Sequence, residues 1–166
     1  TAGSEQLEKR AMLAFDFVAA YVSNDVPFAV KDATSTIEPL VQPPQQITLR
    51  FTPGSKIDPA SLGGISVVRS GSATDAFDAD GGVIPDIAVL PGSITVDDAP
   101  NENQVVIRFA ENLPDDMYRI TIKGASDPND SNPDGLRTDP SAGTPESFAS
   151  NQTDTYSFDF RVDIGN

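Results

Sequence analysis

The chain has no cysteine, histidine or tryptophan, and only 11 Lys and Arg stand against 25 Asp and Glu, a formal charge of −14 over 166 residues. Each absence removes a class of chemistry. Without cysteine there is no disulfide framework, thiolate nucleophile, zinc–thiolate site or iron–sulfur cluster. Without histidine there is no imidazole base near neutral pH, so the common nucleophile–base pairs cannot be built. Lack of tryptophan and only three tyrosines leave few flat platforms for sugars or bases. The shortage of cations argues against nucleic acid, whose phosphates are met by Lys and Arg. No apolar run approaches the roughly 18–20 residues of a spanning helix, the longest lying near Phe17–Val22 and Ile87–Leu90. A carboxylate enzyme, a binder of hard cations, and a structural or interaction module remain.

What is present is enough for a core, since 38% of residues are hydrophobic and the length suits one domain. Thr1-Ala2-Gly3-Ser4 reads as a processing or tag remnant. Leu7, Ala11 and Ala14 recur at helical spacing in a stretch about two turns long, marginal on its own. From Phe15 the residues become β-formers with both parities apolar, which predicts a buried strand, with a short buried helix as the alternative, up to Asn24-Asp25. Pro27, Pro39, Pro43 and Pro44 mark edge or connecting geometry, with short extended pieces near Phe28–Val30 and Ile37–Val41.

Further on the alternation is clean. Ile47, Leu49 and Phe51 face one way while Thr48 and Arg50 face the other. Asp58 before Pro59 predicts a capped helical turn closed by Gly63-Gly64, and Ile65–Arg69 reads as the next strand. An acidic loop over Gly71–Gly82 follows, then strands at Val83–Leu90, Ser93–Val96, Gln104–Ala110, Tyr118–Lys123 and Tyr156–Val162. Seven to nine short strands with Pro and Gly punctuation predict an all-β fold: an immunoglobulin-like antiparallel β-sandwich on a Greek-key route, with a barrel as the alternative. The domain is placed at 15–166, with 1–14 as an N-terminal segment.

Five segments carry a resemblance: ITLRF, IDPASLGGISVVRSG, QVVIRFAENLPDDMYRITIKG, GLR and YSFDFRVDIG. Their succession resembles the bacterial Ig-like domains (SbsA-type) repeated in large surface and secreted proteins, where an ID-P-x-[ST]-L turn follows one strand and LPDGxY precedes another. Asp116 stands where that pattern more often has Gly. Leu7–Ala14 resembles the L-E-x-R-x-[LM]-L motif near the start of large exported proteins of planctomycete-type bacteria, with Lys9 where Pro or Asp is usual. The resemblance implies a non-catalytic structural or adhesive module of a large exported protein, extracellular or at the cell surface, with neighbouring modules as partners. Calcium is its candidate stabilising ion.

The strongest chemical motif is Asp130-Ser131-Asn132-Pro133-Asp134-Gly135, flanked by Asp127 and Asp139. Alternating oxygen-bearing side chains followed by Gly can turn several ligands inward on a calcium ion, with the carbonyl of Leu136 adding another. Asp127, Asp130, Asn132, Asp134 and Asp139 are therefore the candidate ligands. An EF-hand is not indicated, because Ser141 stands at the twelfth position, no helix flanks the loop, and Pro133 stiffens it. The same residues also make ordinary turns, and that reading stands beside the metal one. Asp75, Asp78, Asp80 and Asp86 form a second acidic cluster, and Asp97, Asp98, Asn101 and Glu102 a polar turn. Paired carboxylates for glycoside hydrolysis carry no specificity among 25 acidic residues, and neither a G-x-S-x-G elbow nor a phosphate loop occurs. Arg108, Arg119 and Arg161 fall on outward strand positions, where they solvate the surface or meet acidic neighbours. The second functional expectation is a glycan- or protein-binding module whose loops are organised by calcium.

Overall fold

The computed structural model describes residues 15–22, 26–32, 38–72 and 74–165. The expected helical segment at 6–14 and residue 37 of the Ile37–Val41 piece lie outside them. Nine strands run in order: β1 Phe17–Tyr21, β2 Pro27–Val30, β3 Gln46–Phe51, β4 Ile65–Arg69, β5 Ile87–Val89, β6 Ser93–Val96, β7 Gln104–Arg108, β8 Asp116–Lys123 and β9 Thr155–Val162.

They form two antiparallel sheets, ordered β2-β1-β3-β7-β6 and β5-β4-β8-β9. Leaving aside β2, which extends the first sheet beyond β1, these are the A-B-E-D and C′-C-F-G orders of an immunoglobulin-type sandwich. Register follows the apolar parity. Ile47 stands opposite Ile107 across β3 and β7, and Ile120 opposite Phe158 across β8 and β9. Ile47, Leu49 and Phe51 are fully buried, as are Tyr118, Ile120 and Ile122. A one-residue slip would turn every one of them to solvent, so the pattern fixes the pairing.

Aromatic rings fill the space between the sheets. Phe17 stacks on Phe158 with centroids 5.2 Å apart, Tyr118 on Phe160 at 5.1 Å, and Phe15 leans on Phe51 at 5.1 Å and meets Phe148 edge-on at 5.8 Å. Burial of each such ring is worth about 1.5–3 kcal/mol. At the start of β8 the Tyr118 hydroxyl donates to the Pro114 carbonyl at 2.5 Å, the tyrosine-corner contact of this fold. Burial, and then the neighbouring Asp116, push that phenol above its ordinary range, so the hydroxyl keeps its proton and remains a donor.

The structure trims several expected strands: Gln104–Ala110 ends at Arg108, the described part of Ile37–Val41 holds only the bridge at Leu40, and Val83–Leu90 loses most. Only Ile87–Val89 of the stretch Val83–Leu90 pairs; Val83 and Ile84 sit in an exposed turn where the N–H groups of both are taken by the Asp75 carboxylate. An apolar run satisfies the strand pattern but carries no information about whether a partner strand lies alongside. The turn after Asp58 forms as expected, a 3-10 helix over Pro59–Gly64 with Asp58 accepting from the Ala60 N–H.

The ends of the described domain lie at opposite poles. Because β8 and β9 are antiparallel, Lys123 and Thr155 mark one pole, and Asp116 and Val162 the other. The chain enters at the first, where the Phe15 carbonyl accepts from the Ala149 N–H. It leaves at the second, where the Ile164 N–H donates to Asp115. Near that exit Leu40 forms a parallel bridge to Val162, donating to the Arg161 carbonyl at 2.8 Å and accepting from the Asp163 N–H at 2.9 Å.

Candidate functional site

The entry pole is built by the long connection from β8 to β9, residues 124–154, which contains all five candidate ligands. Two apolar residues anchor it, Leu136 and Phe148, both buried in the common core. The loop backbone then lies directly on the sandwich. Gly124 bridges to Leu136; a Cβ on Gly135 would fall 2.4 Å from the Gly124 carbonyl oxygen, and one on Gly124 would fall 2.0 Å from that of Phe148. Gly135, the glycine of the D-x-N-x-D-G run, is thus required by close backbone packing.

At the centre of this connection is Arg137. Its Nε donates to Asp58 at 2.7 Å, and both side chains are almost wholly buried, at 7% and 9% exposure. A terminal nitrogen donates to two loop carbonyls, those of Pro128 and Asp130. Ser61 completes the joint: its hydroxyl accepts from the Arg137 N–H at 3.1 Å and donates to the Asp58 carbonyl at 2.8 Å. The IDPASL turn and the GLR segment therefore meet as one buried unit, with a guanidinium turned to the carbonyls that line the acidic loop.

The five candidate ligands do not converge. Asp127 accepts from the Asn129 N–H, and Asp130 from the N–H of Asn132. Asp134 receives the N–H and hydroxyl of Ser126, at 2.7 and 2.6 Å. Asp139 caps a separate 3-10 turn, receiving the N–H and hydroxyl of Ser141. Among the described residues no three acidic side chains stand together as a metal-holding group. The arrangement follows the turn reading: each carboxylate closes its own turn, and the Pro128 and Asp130 carbonyls are held by Arg137.

The Ser126 hydroxyl and N–H hold the Asp134 carboxyl below its ordinary value of 3.8, and the Ser141 N–H and hydroxyl do the same for Asp139. In the second acidic cluster the N–H groups of Ile84 and Val83 lower Asp75. A carboxylate with a depressed folded-state pKa contributes stability above its unfolded value and loses it as pH falls through the folded one. These turns therefore loosen only below about pH 4. Elsewhere in that cluster Asp78 and Asp86 each accept the other's N–H, and Asp80 meets Arg119 at 2.7 Å.

Two expected outward cations are paired. Arg119 grips Asp159 through two nitrogens at 2.6 and 2.9 Å and lies over the Phe77 ring at 4.3 Å, and Arg161 meets Asp163 at 3.2 Å. Arg108 donates to the Thr95 hydroxyl at 3.3 Å.

The other buried carboxylate, Asp116, also has both oxygens occupied by donors. It receives the Arg69 guanidinium at 3.0 Å, the Ser70 hydroxyl at 2.8 Å, and the N–H groups of Gly71 and Met117 at 3.0 and 2.7 Å. It occupies the position where the resembled motif more often has Gly, and here it ties the start of β8 to the end of β4. The sequence marked Asp116 only as a departure from that motif and Arg137 only as part of the GLR segment, with no role for either. The signal for Arg137 was available, since it is the one basic residue between Lys123 and Arg161.

Calcium tests the loop directly. A ligand that binds the native state alone raises stability as RT ln(1 + [L]/Kd). With the carboxylates apart and the carbonyls held by Arg137, thermal unfolding in millimolar calcium and in chelator is expected to give the same midpoint. A rise of several degrees in calcium would show that the loop rearranges to bind it.

No protein-family model matches the chain, and no curated protein matches it. Among solved structures it is similar to PcoC, a methionine-rich copper resistance protein from Escherichia coli, at 16% identity over 73% of this chain and 83% of that one, with a TM-score of 0.37. At that level nothing about function passes from that protein to this chain.

Proposed function

We propose that this chain is a non-catalytic structural or adhesive module of a large exported multidomain protein, acting outside the cell or at its surface and joined to neighbouring modules of the same protein. The observation that carries this reading is the polar arrangement of entry and exit: Phe15 at one end of the sandwich and Ile164 at the other. Such a domain extends a chain by its own long axis, which is what a spacer requires. The buried polar groups support it, because Asp58, Arg137 and Asp116 hold the connections at the two poles to the sheets. The acidic turns keep the surface charged and soluble.

The test is a tandem pair, with Gly165 of one copy joined to Phe15 of the next by a short rigid linker. Small-angle scattering is expected to give a maximum dimension close to twice that of the single domain. A compact side-by-side pair would overturn the spacer reading.

A further inference from the structure

Each of the two sheets has two outer strands, and they are finished differently. The outer side of β9 is met by Leu40, through the bridge to Val162. Strand β2 begins with Pro27 and runs into Lys31-Asp32, and β6 runs into Asp97-Asp98. Strand β5 is set between Pro85-Asp86 and Pro91, and the four residues between them, Ile87-Ala88-Val89-Leu90, carry no charge.

Among the described residues, the backbone of β5 has no partner on that side. Ser70 donates its N–H to the Met117 carbonyl, so it faces β8, and by alternation Arg69 faces β5, where it stands opposite Ile87. Ala88 and Leu90 therefore direct their N–H and C=O outward. Asp86, of the same parity, has its N–H taken by Asp78, which marks where the free edge begins. Beside it lies an apolar stripe: Val83 is 89% exposed and Leu90 87%, with Ile84 and Ile87 also exposed. A cavity of about 460 Å³ opens at the end of the strand, lined by Leu90, Phe109, Leu113, Pro114, Arg69 and Glu111 among others.

The charge around the edge selects the occupant. Asp75, Asp78, Asp80 and Asp86 flank the stripe, and Glu111 stands at the cavity. The nearby cations are engaged, Arg69 with Asp116 and Arg119 with Asp159 and Asp80. A second copy of a chain carrying −14 would bring like charge against this rim. We propose that the free edge of β5 docks a basic, extended polypeptide segment, which adds as a fifth strand to the β5-β4-β8-β9 sheet and seats an apolar side chain in the adjoining cavity. Main-chain pairing supplies affinity in such a mode, and the pocket and acidic rim supply selectivity. The inference deepens the module reading and rests on it for the premise that the chain works by contact.

The probe is a synthetic peptide of alternating Lys and Val, with an alternating Glu and Val peptide of equal length as its control, titrated into the isotopically labelled chain. The Lys–Val peptide is expected to shift the amide resonances of Ile87–Leu90 saturably, and more weakly as salt rises. Ala88→Pro removes an outward N–H and is expected to cut affinity about tenfold or more while the remaining spectrum stays native. Leu90→Lys, which leaves the strand backbone intact, is expected to weaken binding as well. No saturable shift at millimolar peptide, shifts at β2 or β6 instead, equal binding of the Glu–Val peptide, or dimerisation of the chain alone through β5 would each overturn the proposal. Loss of peptide binding with an extended tandem pair counts against this edge alone; a compact pair that still binds peptide counts against the spacer reading alone.

Discussion

Arg137→Ala is expected to destabilise the domain by about 3–5 kcal/mol, the usual cost of removing one partner from a buried ion pair. The loss is large because three acceptors are stranded at once: the Asp58 carboxylate and the carbonyls of Pro128 and Asp130. Domains of this size have only about 5–15 kcal/mol in total, so a large share of the stability is removed. Denaturant unfolding measures the global loss, and hydrogen exchange adds a local readout, with amides of residues 126–135 opening before those of β8 and β9. The double variant Asp58→Leu with Arg137→Met separates charge burial from packing. It leaves no lone buried charge and is expected to recover part of the lost stability while the loop stays loose, since the carbonyls remain without a donor. Equal stability of Arg137→Ala and the wild type would show that the loop is held by something other than the guanidinium.

Asp116→Ala is the second large effect, again about 3–5 kcal/mol. Four donors converge on this carboxylate, and alanine leaves the Arg69 guanidinium and two N–H groups without this acceptor, while the Ser70 hydroxyl keeps the Ser72 carbonyl. The site links the turn after β4 to the first residue of β8, so the loss is expected to fall at the exit pole, opposite to that of Arg137→Ala. The Arg137 and Asp116 sites share no hydrogen-bond partner among the described residues, and the effects of the two substitutions are expected to add in denaturant unfolding. Asp116→Asn retains an acceptor oxygen and is expected to cost clearly less. Asp116→Gly, which restores the residue commoner in the resembled motif, is expected to be as damaging as alanine, because here the carboxylate and not the turn does the holding. Parity of Asp116→Gly with the wild type would contradict that.

The sheets were legible where a strand is long and half-buried. Ile47, Leu49 and Phe51, or Tyr118, Ile120 and Ile122, announce their inward face by strict alternation, and the structure buries all six. The Asp58-Pro59 turn was legible because capping chemistry is local. Legibility fails where the decisive partner is distant. Leu136 and Phe148 are isolated apolar residues in a polar connection, and no period marks them as core. Val83 and Ile84 match a strand pattern yet lie beyond the end of β5, because what limits a strand is its neighbour. The candidate site was ambiguous in the sequence for a different reason. Asp, Asn and Gly at alternating positions suit a calcium loop and a chain of turns equally well, and the choice between them depends on whether the carboxylates point to one centre. The structure points them to Asn129, Asn132, Ser126 and Ser141 instead. Two of the loop's carbonyls are held by the Arg137 guanidinium, whose partner Asp58 is 79 residues away in sequence.

The module reading is tested most directly by force. Pulled between residues 15 and 165, the domain is loaded from one pole to the other, and the two hydrogen bonds that tie Leu40 to Arg161 and Asp163 lie across the exit strand in shear. Single-molecule extension is expected to show one cooperative rupture that accounts for the whole domain, at the same force in calcium and in chelator. Leu40→Pro removes the donor to Arg161 and is expected to lower that force while costing only about 1 kcal/mol at equilibrium. Gradual extension at low force, or a rupture force that Leu40→Pro leaves unchanged, would contradict it.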